Sequence, residues 1–369
     1  MPNPPHIALI SMSRRGSMVH YLTELANAFA SVTKTSVLAP HSVDTDYFSS
    51  SVNFFNINTG DGFKGTLFRS INPFFFIRLY QTLKSIQADV YFVASVHEWN
   101  PILGFLIKKL LRKPLFFTIH DPKHHPGAPW NIRYPDYVFR KYPDGFIVHT
   151  KQAKSHLLEN GYSPARVFSG YTGTFNFFKR WEKIGVKQEN LILFFGRLEP
   201  YKGLDILFEI APHLLDSLPT WQLVIAGAGS IDGDHRQNQH ERLIIDNRFI
   251  PEAEVTNLMQ RAKMLVMPYT DLTYSGVILT AFTFNLPVIS TEIQYLPEFI
   301  KHGQTRLLVP PNNADKLTSA IIDLARDEEL RAHLSAQIPI FVEENLNWDL
   351  FVRKCLPVID DVISLGSMP

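Results

Sequence analysis

Apolar and polar positions along this chain follow two alternating rhythms. Short apolar runs, rich in β-branched and aromatic residues, alternate with longer segments whose apolar residues recur at helical spacing. HIALIS (6–11) is the first run and reads as a strand buried on both faces. A loop, MSRRGSM, holds Gly16, and VHYLTELANAF (19–29) then repeats with helical period. Further strands are predicted at TSVLAP (35–40), DVYFVAS (89–95), PLFFTIHD (114–121) and GFIVHT (145–150). KQAKSHLLENG follows as a helix, and RVFSGYTGTF (166–175) reads as one more strand leading out of the domain.

The alternation then restarts. Strands are predicted at 190–197, 221–229, 243–250, 264–269 and 286–291, with a short extended piece at 306–311. Between and after them lie helical patterns at 204–218, 253–263, 275–285 and 314–326, then more helix to the end. Strands alternating with helices imply parallel, doubly wound sheets. The expected fold class is α/β, with two Rossmann-like domains facing a central cleft. Their expected bounds are 1–178 and 179–350, with a helix at 351–369 packing back on the first domain.

The chain has 369 residues, which favours two cores over one. An apolar fraction of 45% with 19% charged residues marks a globular protein. A net charge of +1 gives no nucleic-acid signal. The single cysteine, Cys355, excludes an internal disulfide and suits a reducing, cytoplasmic setting. The first residues lack the charged and apolar regions of a signal peptide, and no apolar run reaches transmembrane length. Two stretches, 72–86 and 101–117, mix Phe and Leu with Lys and Arg. They read equally as surfaces for an anionic bilayer and as core-facing helices with wet rims. The cations concerned in the first domain are Lys64, Arg69, Arg78, Lys84, Lys108, Lys109, Arg112 and Lys113. A peripheral place on the inner face of the cell membrane is the matching expectation.

Candidate chemistry concentrates at FFGRLEPYKG (194–203), where a strand hands over to a helix through Gly196, Arg197, Lys202 and Gly203. Two cations beside exposed backbone N–H groups suit a phosphate. A surface turn with solvated charges is the plainer reading. His120 ends a strand in TIHD, with Asp121, His124 and His125 close behind. Prolines 122 and 126 with Gly127 argue for a loop there, not for the helix that pairs metal-binding histidines. DTD (44–46) falls in a turn-like region and is a common tripeptide.

In the second half five blocks follow in order: FFGRLEPYKGLDIL, LVIAGAGS, RFIPEAEVTNLMQRAKMLVMPY, SGVILTAFTFNLPVISTE and HGQTRLLVPPNNADKLTSAI. Together they resemble the retaining glycosyltransferases of family 4, which have the GT-B fold, and in particular a branch among bacterial polysaccharide enzymes. The first half resembles them through IHD and the Gly16 loop. The resemblance implies a nucleotide-sugar donor, a glycan or lipid-linked acceptor, and no metal or other cofactor. Arg197 and Lys202 match the residues that contact the donor diphosphate. Donor contacts are implied for Gly16, Gly196, Gly227, Ile250, Tyr274, Ser275, Gly276, Val277 and Thr280. His120 matches a histidine near the transferred sugar, while Arg15, Asp121, His124 and His125 are acceptor-side candidates. The family usually carries two glutamates eight residues apart; here the later position is Thr280 and the earlier falls at Leu272 or Thr273. Asp271 is the nearest acid and the substitute candidate. A Gly-Gly pair of the family is Gln294-Tyr295 here. A non-catalytic partner subunit that keeps the fold is the alternative those missing glutamates suggest. Donor base, sugar and acceptor stay open at this level.

Overall fold

The computed structural model describes residues 4–60, 62–122, 130–231, 240–271, 275–293, 303 and 305–366. They form two compact units, one from the amino terminus through Thr172 together with Trp348 onward, the other from Gly173 to Asn347.

The first unit is built on a parallel sheet of seven strands: β1 (Ile7–Ile10), β2 (Thr35–Pro40), β3 (Val52–Ile57), β4 (Val90–Val93), β5 (Leu115–Thr118), β6 (Gly145–Val148) and β7 (Val167–Ser169). Their order is β3-β2-β1-β4-β5-β6-β7. The helices are α1 (Ser17–Ala30), α2 (Gly62–Ser70), α3 (Pro73–Ile86), α4 (Asn100–Phe105), α5 (Trp130–Phe139) and α6 (Lys151–Glu159). Central strands such as IALI and VYFV are buried at every position, as a sheet covered on both faces requires. β3 escapes the apolar pattern because it is an edge strand whose Asn53 and Asn56 are exposed. The expected strand at 166–175 is corrected to three residues. β7 pairs with β6 only as far as Val148, after which Thr150 caps α6 by accepting from the N–H of Ala153.

Much of the phenylalanine content is accounted for here. Phe92 stacks on Phe116 at 4.8 Å, and Phe75 meets Trp99 at 4.6 Å. The stretch 101–117 is largely core: Leu103, Leu106, Ile107 and Leu115 are buried. Beyond α4 the chain runs on as one π-helical segment, Leu106–Leu111. Its Lys108 reaches Asp144 at 2.6 Å, and the same carboxylate accepts from the N–H of Leu115 at 2.9 Å. That cation is therefore committed inside the unit.

The second unit holds a parallel sheet of β8 (Leu191–Phe195), β9 (Gln222–Ala226), β10 (Leu243–Asp246), β11 (Met264–Met267), β12 (Val288–Thr291) and β13 (Arg306–Val309), ordered β10-β9-β8-β11-β12-β13. Its helices are α7 (Leu204–Ser217), α8 (Glu252–Arg261), α9 (Gly276–Thr283), α10 (Ala314–Arg326) and α11 (Glu328–Asn345). The last helix, α12 (Trp348–Gly366), belongs to the first unit. Its buried residues Phe351, Val352, Cys355, Ile359 and Val362 form one helical stripe. Trp348 meets Tyr21 at 5.7 Å, and Phe351 meets Phe168 at 5.6 Å. No described helix is long and apolar enough to cross a membrane.

Candidate functional site

In each sheet the order reverses beside the first strand, between β1 and β4 and between β8 and β11. Crossover helices leave such a switch point on opposite faces and open a crevice at the strand C-ends, where ligands of open α/β sheets bind.

At the switch point of the second unit, β8 ends in Gly196 (φ 140°) and β9 in Gly227 (φ 150°). The two strand ends are so close that a Cβ on Gly227 would lie 1.7 Å from the Gly196 carbonyl oxygen. Glycine is thus required by contact as well as by conformation. The chain then turns through a short 3-10 segment, Pro200–Lys202, into α7. Gly203 (φ 71°) abuts the carbonyl of Pro268, fastening this turn to the end of β11. The N–H of Thr270 donating to the Tyr201 carbonyl at 2.9 Å completes the fastening.

The two cations of this turn are placed differently. Arg197 is exposed; its Nη1 donates to Glu199 Oε1 at 2.7 Å and its Nη2 to the Tyr201 hydroxyl at 3.3 Å. Lys202 is only 7% exposed, with Nζ 3.8 Å from the centre of the Tyr269 ring. Burying an ammonium costs free energy unless it is compensated, and the aromatic face supplies part of that compensation. The reading of a turn with solvated charges therefore does not describe Lys202.

Tyr269 is fully buried, and burial pushes its phenol well above the usual range. Its hydroxyl lies 3.6 Å from where a Cβ on Gly196 would sit, and Val277 Cγ2 lies at 3.5 Å. The first turn of α9 thus packs over the glycine that ends β8. Ser275 precedes this helix but its side chain does not cap it. Tyr269 OH and Ser275 Oγ are both buried and close enough for the serine to lower the phenol's value against the effect of burial, and neither has a well-formed hydrogen bond among the described residues. Buried polar atoms normally find full hydrogen bonding, so two buried hydroxyls with at most a weak bond to each other, on the tyrosine that carries a buried ammonium, leave hydrogen-bonding capacity for a polar ligand.

Gly196, Lys202, Gly227, Ser275, Gly276 and Val277 are gathered around this point. Thr280 lies one turn into α9, buried, with its hydroxyl donating to the Gly276 carbonyl at 2.9 Å. That hydroxyl is occupied within the helix. Ile250 is buried ahead of α8, and Asp271 is exposed beyond Tyr269. Tyr274 lies outside the described residues.

The switch point of the first unit has hydroxyl, amide and imidazole groups where the second has its cations, with Arg15 and Asp121 next to them in the chain. Ser11 and Ser95, just beyond β1 and β4, place their hydroxyls 2.9 Å apart. Asn100 Nδ2 donates to the Ser95 carbonyl at 2.9 Å, while its Oδ1 is buried and unsatisfied among the described residues. Gly16 (φ 77°) opens α1, with open space where its Cβ would be; Arg15 beside it is exposed. His120 follows β5, its Nε2 2.9 Å from the Ala94 carbonyl and its ring edge-on to Tyr21 at 4.6 Å. His149 sits 5.2 Å from His120 between ring centres. Burial holds both imidazoles below the ordinary histidine range, and for His149 the neighbouring His120 adds to the effect. Asp121 follows, half-buried, and its charge draws the His120 value back up. His124 and His125 lie outside the described residues. In DTD, Asp44 accepts from the N–H of Asp46 at 2.9 Å, a local cap of a 3-10 turn.

Sequence reasoning missed Tyr269, Ser11, Ser95 and Asn100 as site residues. Tyr269, two residues beyond the apolar strand β11, carries no signal of its own. The serines could have been found, since Ser11 directly follows β1 and Ser95 follows β4 after one intervening residue, the two strands that flank the reversal.

Residues 177–339 match the family Glycosyl transferases group 1, and residues 18–173 match Glycosyltransferase Family 4. An uncharacterised glycosyltransferase of Methanocaldococcus jannaschii is 26% identical over 298 residues, 74% of this chain and 76% of the relative. The phosphatidyl-myo-inositol mannosyltransferase of Mycolicibacterium smegmatis is 25% identical over 185 residues, 49% of this chain and 47% of the relative. Among solved structures, Anabaena HepE in complex with UDP and glucose superposes with a TM-score of 0.70 at 16% identity, covering 99% of this chain and 100% of that one. Sucrose-phosphate synthase of Thermosynechococcus elongatus gives 0.71 at 16% identity, covering 98% and 100%.

Proposed function

We propose that this chain, which belongs by both of its units to the glycosyltransferases of the GT-B fold, transfers a sugar from a nucleotide-sugar donor to a glycan or lipid-linked acceptor. The observation that carries the donor half is the buried Lys202, set on the ring of Tyr269, whose hydroxyl lies by Ser275 and the glycine end of β8. A nucleoside diphosphate gains negative charge as the glycosidic bond breaks, and a fixed cation stabilises that charge without reorganising. Arg197 would exchange Glu199 for a phosphate oxygen, a small loss since exposed ion pairs are weak. The amides opening α9 add donors to the same group. That the solved HepE structure holds UDP is consistent with this placement.

The reading includes a metal-independent, retaining reaction. The bond from the anomeric carbon to the phosphate oxygen breaks, and a bond to the acceptor oxygen forms on the same face. The acceptor proton passes to the departing phosphate oxygen, so no enzymic nucleophile is needed. His120, held neutral, positions the sugar or the acceptor hydroxyl by hydrogen bonding, and Asp271 is the carboxylate left to meet the sugar hydroxyls.

One observation favours a second reading, a donor-binding but non-catalytic subunit: Thr280 is buried and bonded to Gly276, and offers the donor no carboxylate. Transfer or hydrolysis of UDP-, GDP- and dTDP-sugars by the pure protein, in excess chelator, decides between them. Turnover with at least one donor is expected, falling about 10²–10³-fold in Arg197→Ala and in Lys202→Ala. Binding without turnover would favour the second reading, and turnover that needs an added divalent ion would refute metal independence.

A further inference from the structure

The first unit carries a surface that neither switch point uses. A cavity of about 570 Å³ lies where α3 meets the ends of β2 and β3, lined by His41, Asn58, Arg69, Asn72, Phe74 and Arg78 among others. Its lining holds two guanidinium groups and an imidazole and includes no carboxylate. Neither Arg69 nor Arg78 ion-pairs with a carboxylate among the described residues. Lys108, by contrast, is spent on Asp144.

Four large apolar side chains of the same α2–α3 segment are left in water by the fold. Phe68, Ile71, Phe74 and Ile77 are 63%, 73%, 76% and 52% exposed. Phe74 lines the cavity, and the other three neighbour Arg69, Asn72 and Arg78 in the chain. On α3 the next residues inward, Phe75, Leu79, Leu83 and Ile86, are buried, so the helix already has its core face and Phe74 and Ile77 are surplus to it. Clustered exposed apolar side chains on a folded unit mark an interaction surface.

We propose that the α2–α3 face docks on an anionic lipid bilayer, with a lipid phosphate held between Arg69 and Arg78 and with Phe68, Ile71, Phe74 and Ile77 entering the headgroup boundary. Guanidinium forks match phosphate geometry, and two of them without competing carboxylates select an anion. A soluble phosphate would satisfy the arginines and leave four apolar side chains in water. A bilayer satisfies both, since interfacial segments bind by apolar insertion combined with attraction to anionic lipid. The proposal does not depend on the donor reading, because none of these residues belongs to either switch point.

The test is sedimentation of the full chain with vesicles of phosphatidylcholine alone or mixed with phosphatidylglycerol. Selective binding to the mixed vesicles is expected, weakening as salt rises. Arg69→Ala/Arg78→Ala should lower that partition roughly 25-fold, about fivefold for each cation. Arg69→Lys/Arg78→Lys should restore much of it, and Phe74→Ser/Ile77→Ser should lower it at every lipid composition. Lys109→Ala/Arg112→Ala should leave it nearly unchanged. Unaltered melting temperatures show that the surface variants fold. Wild type with no preference for phosphatidylglycerol at low salt would overturn the proposal. So would equal binding by the double arginine variant, loss of binding in Lys109→Ala/Arg112→Ala alone, or saturable binding of glycerol phosphate without vesicle binding.

Discussion

The two units share one strand order around their first strands, yet their switch points differ in charge. In the second unit a buried ammonium and an exposed guanidinium stand where glycine brings strand ends together. In the first unit the same position holds serines, an asparagine and two imidazoles kept neutral by burial. On the proposed reading, one topology serves two kinds of ligand. Fixed positive charge suits a phosphate that gains charge in the reaction, while neutral hydrogen-bonding groups suit the hydroxyls of a sugar.

The sharpest way to break the comparison is through its glycines. Gly227→Ala forces a Cβ to 1.7 Å from the Gly196 carbonyl. It should cost about 3 kcal/mol or more, because neither strand end can yield without losing ladder bonds. Gly16→Ala in the first unit meets open space and pays only for its backbone, whose φ of 77° and ψ of −163° lie in a region essentially confined to glycine, about 1–3 kcal/mol. Thermal or urea unfolding of both variants measures the difference. Equal costs would show that the strand ends at β8 and β9 are looser than described.

Intermediate in size is the pH response of the first unit. The folded state resists protonating His120 and His149, while the unfolded chain takes protons near pH 6.5. Below that pH the unfolded state binds more protons, so stability falls as pH falls, by at most about 1.4 kcal/mol per pH unit for each such histidine. His6 and His97, the latter pushed down to about 4 by burial and by Arg14, add slope of the same sign. His149→Gln should flatten the decline between about pH 6.5 and 5 without removing it. An unchanged slope would mean that His149 is not the buried neutral group described. A smaller effect is expected from Arg248→Ala, whose exposed pairs with Asp246 and Glu254 should matter little to melting.

What could be read from the chain divides along the same line. Buried strands such as IALI, VYFV and MLVM announce themselves because parallel sheets need unbroken apolar runs. The edge strand β3, with Asn53 and Asn56 exposed, does not. The pair Arg197 and Lys202 was visible from spacing and glycine. Their unequal burial was not, because it depends on Tyr269 arriving from β11, some seventy residues later. The serines beyond β1 and β4 are ordinary residues in sequence and become a pair only when the sheet order reverses between them. The aromatic-basic stretches looked alike in sequence and separated in structure: one spends Lys108 on Asp144, and the other leaves Arg78 at a cavity that Arg69, just ahead of the stretch, also lines.

The central claim is that the turn after β8 holds a diphosphate. Calorimetric titration, in excess chelator, of nucleoside diphosphates and monophosphates of the same base tests it most directly, using wild type, Lys202→Met and Arg197→Met. The account predicts that wild type favours the diphosphate of at least one base. It predicts that this advantage shrinks about tenfold or more in each variant, because each cation supplies a charge-assisted contact worth about 1.5–3 kcal/mol. The monophosphate should bind nearly as before. A diphosphate advantage that survives both substitutions would contradict the account.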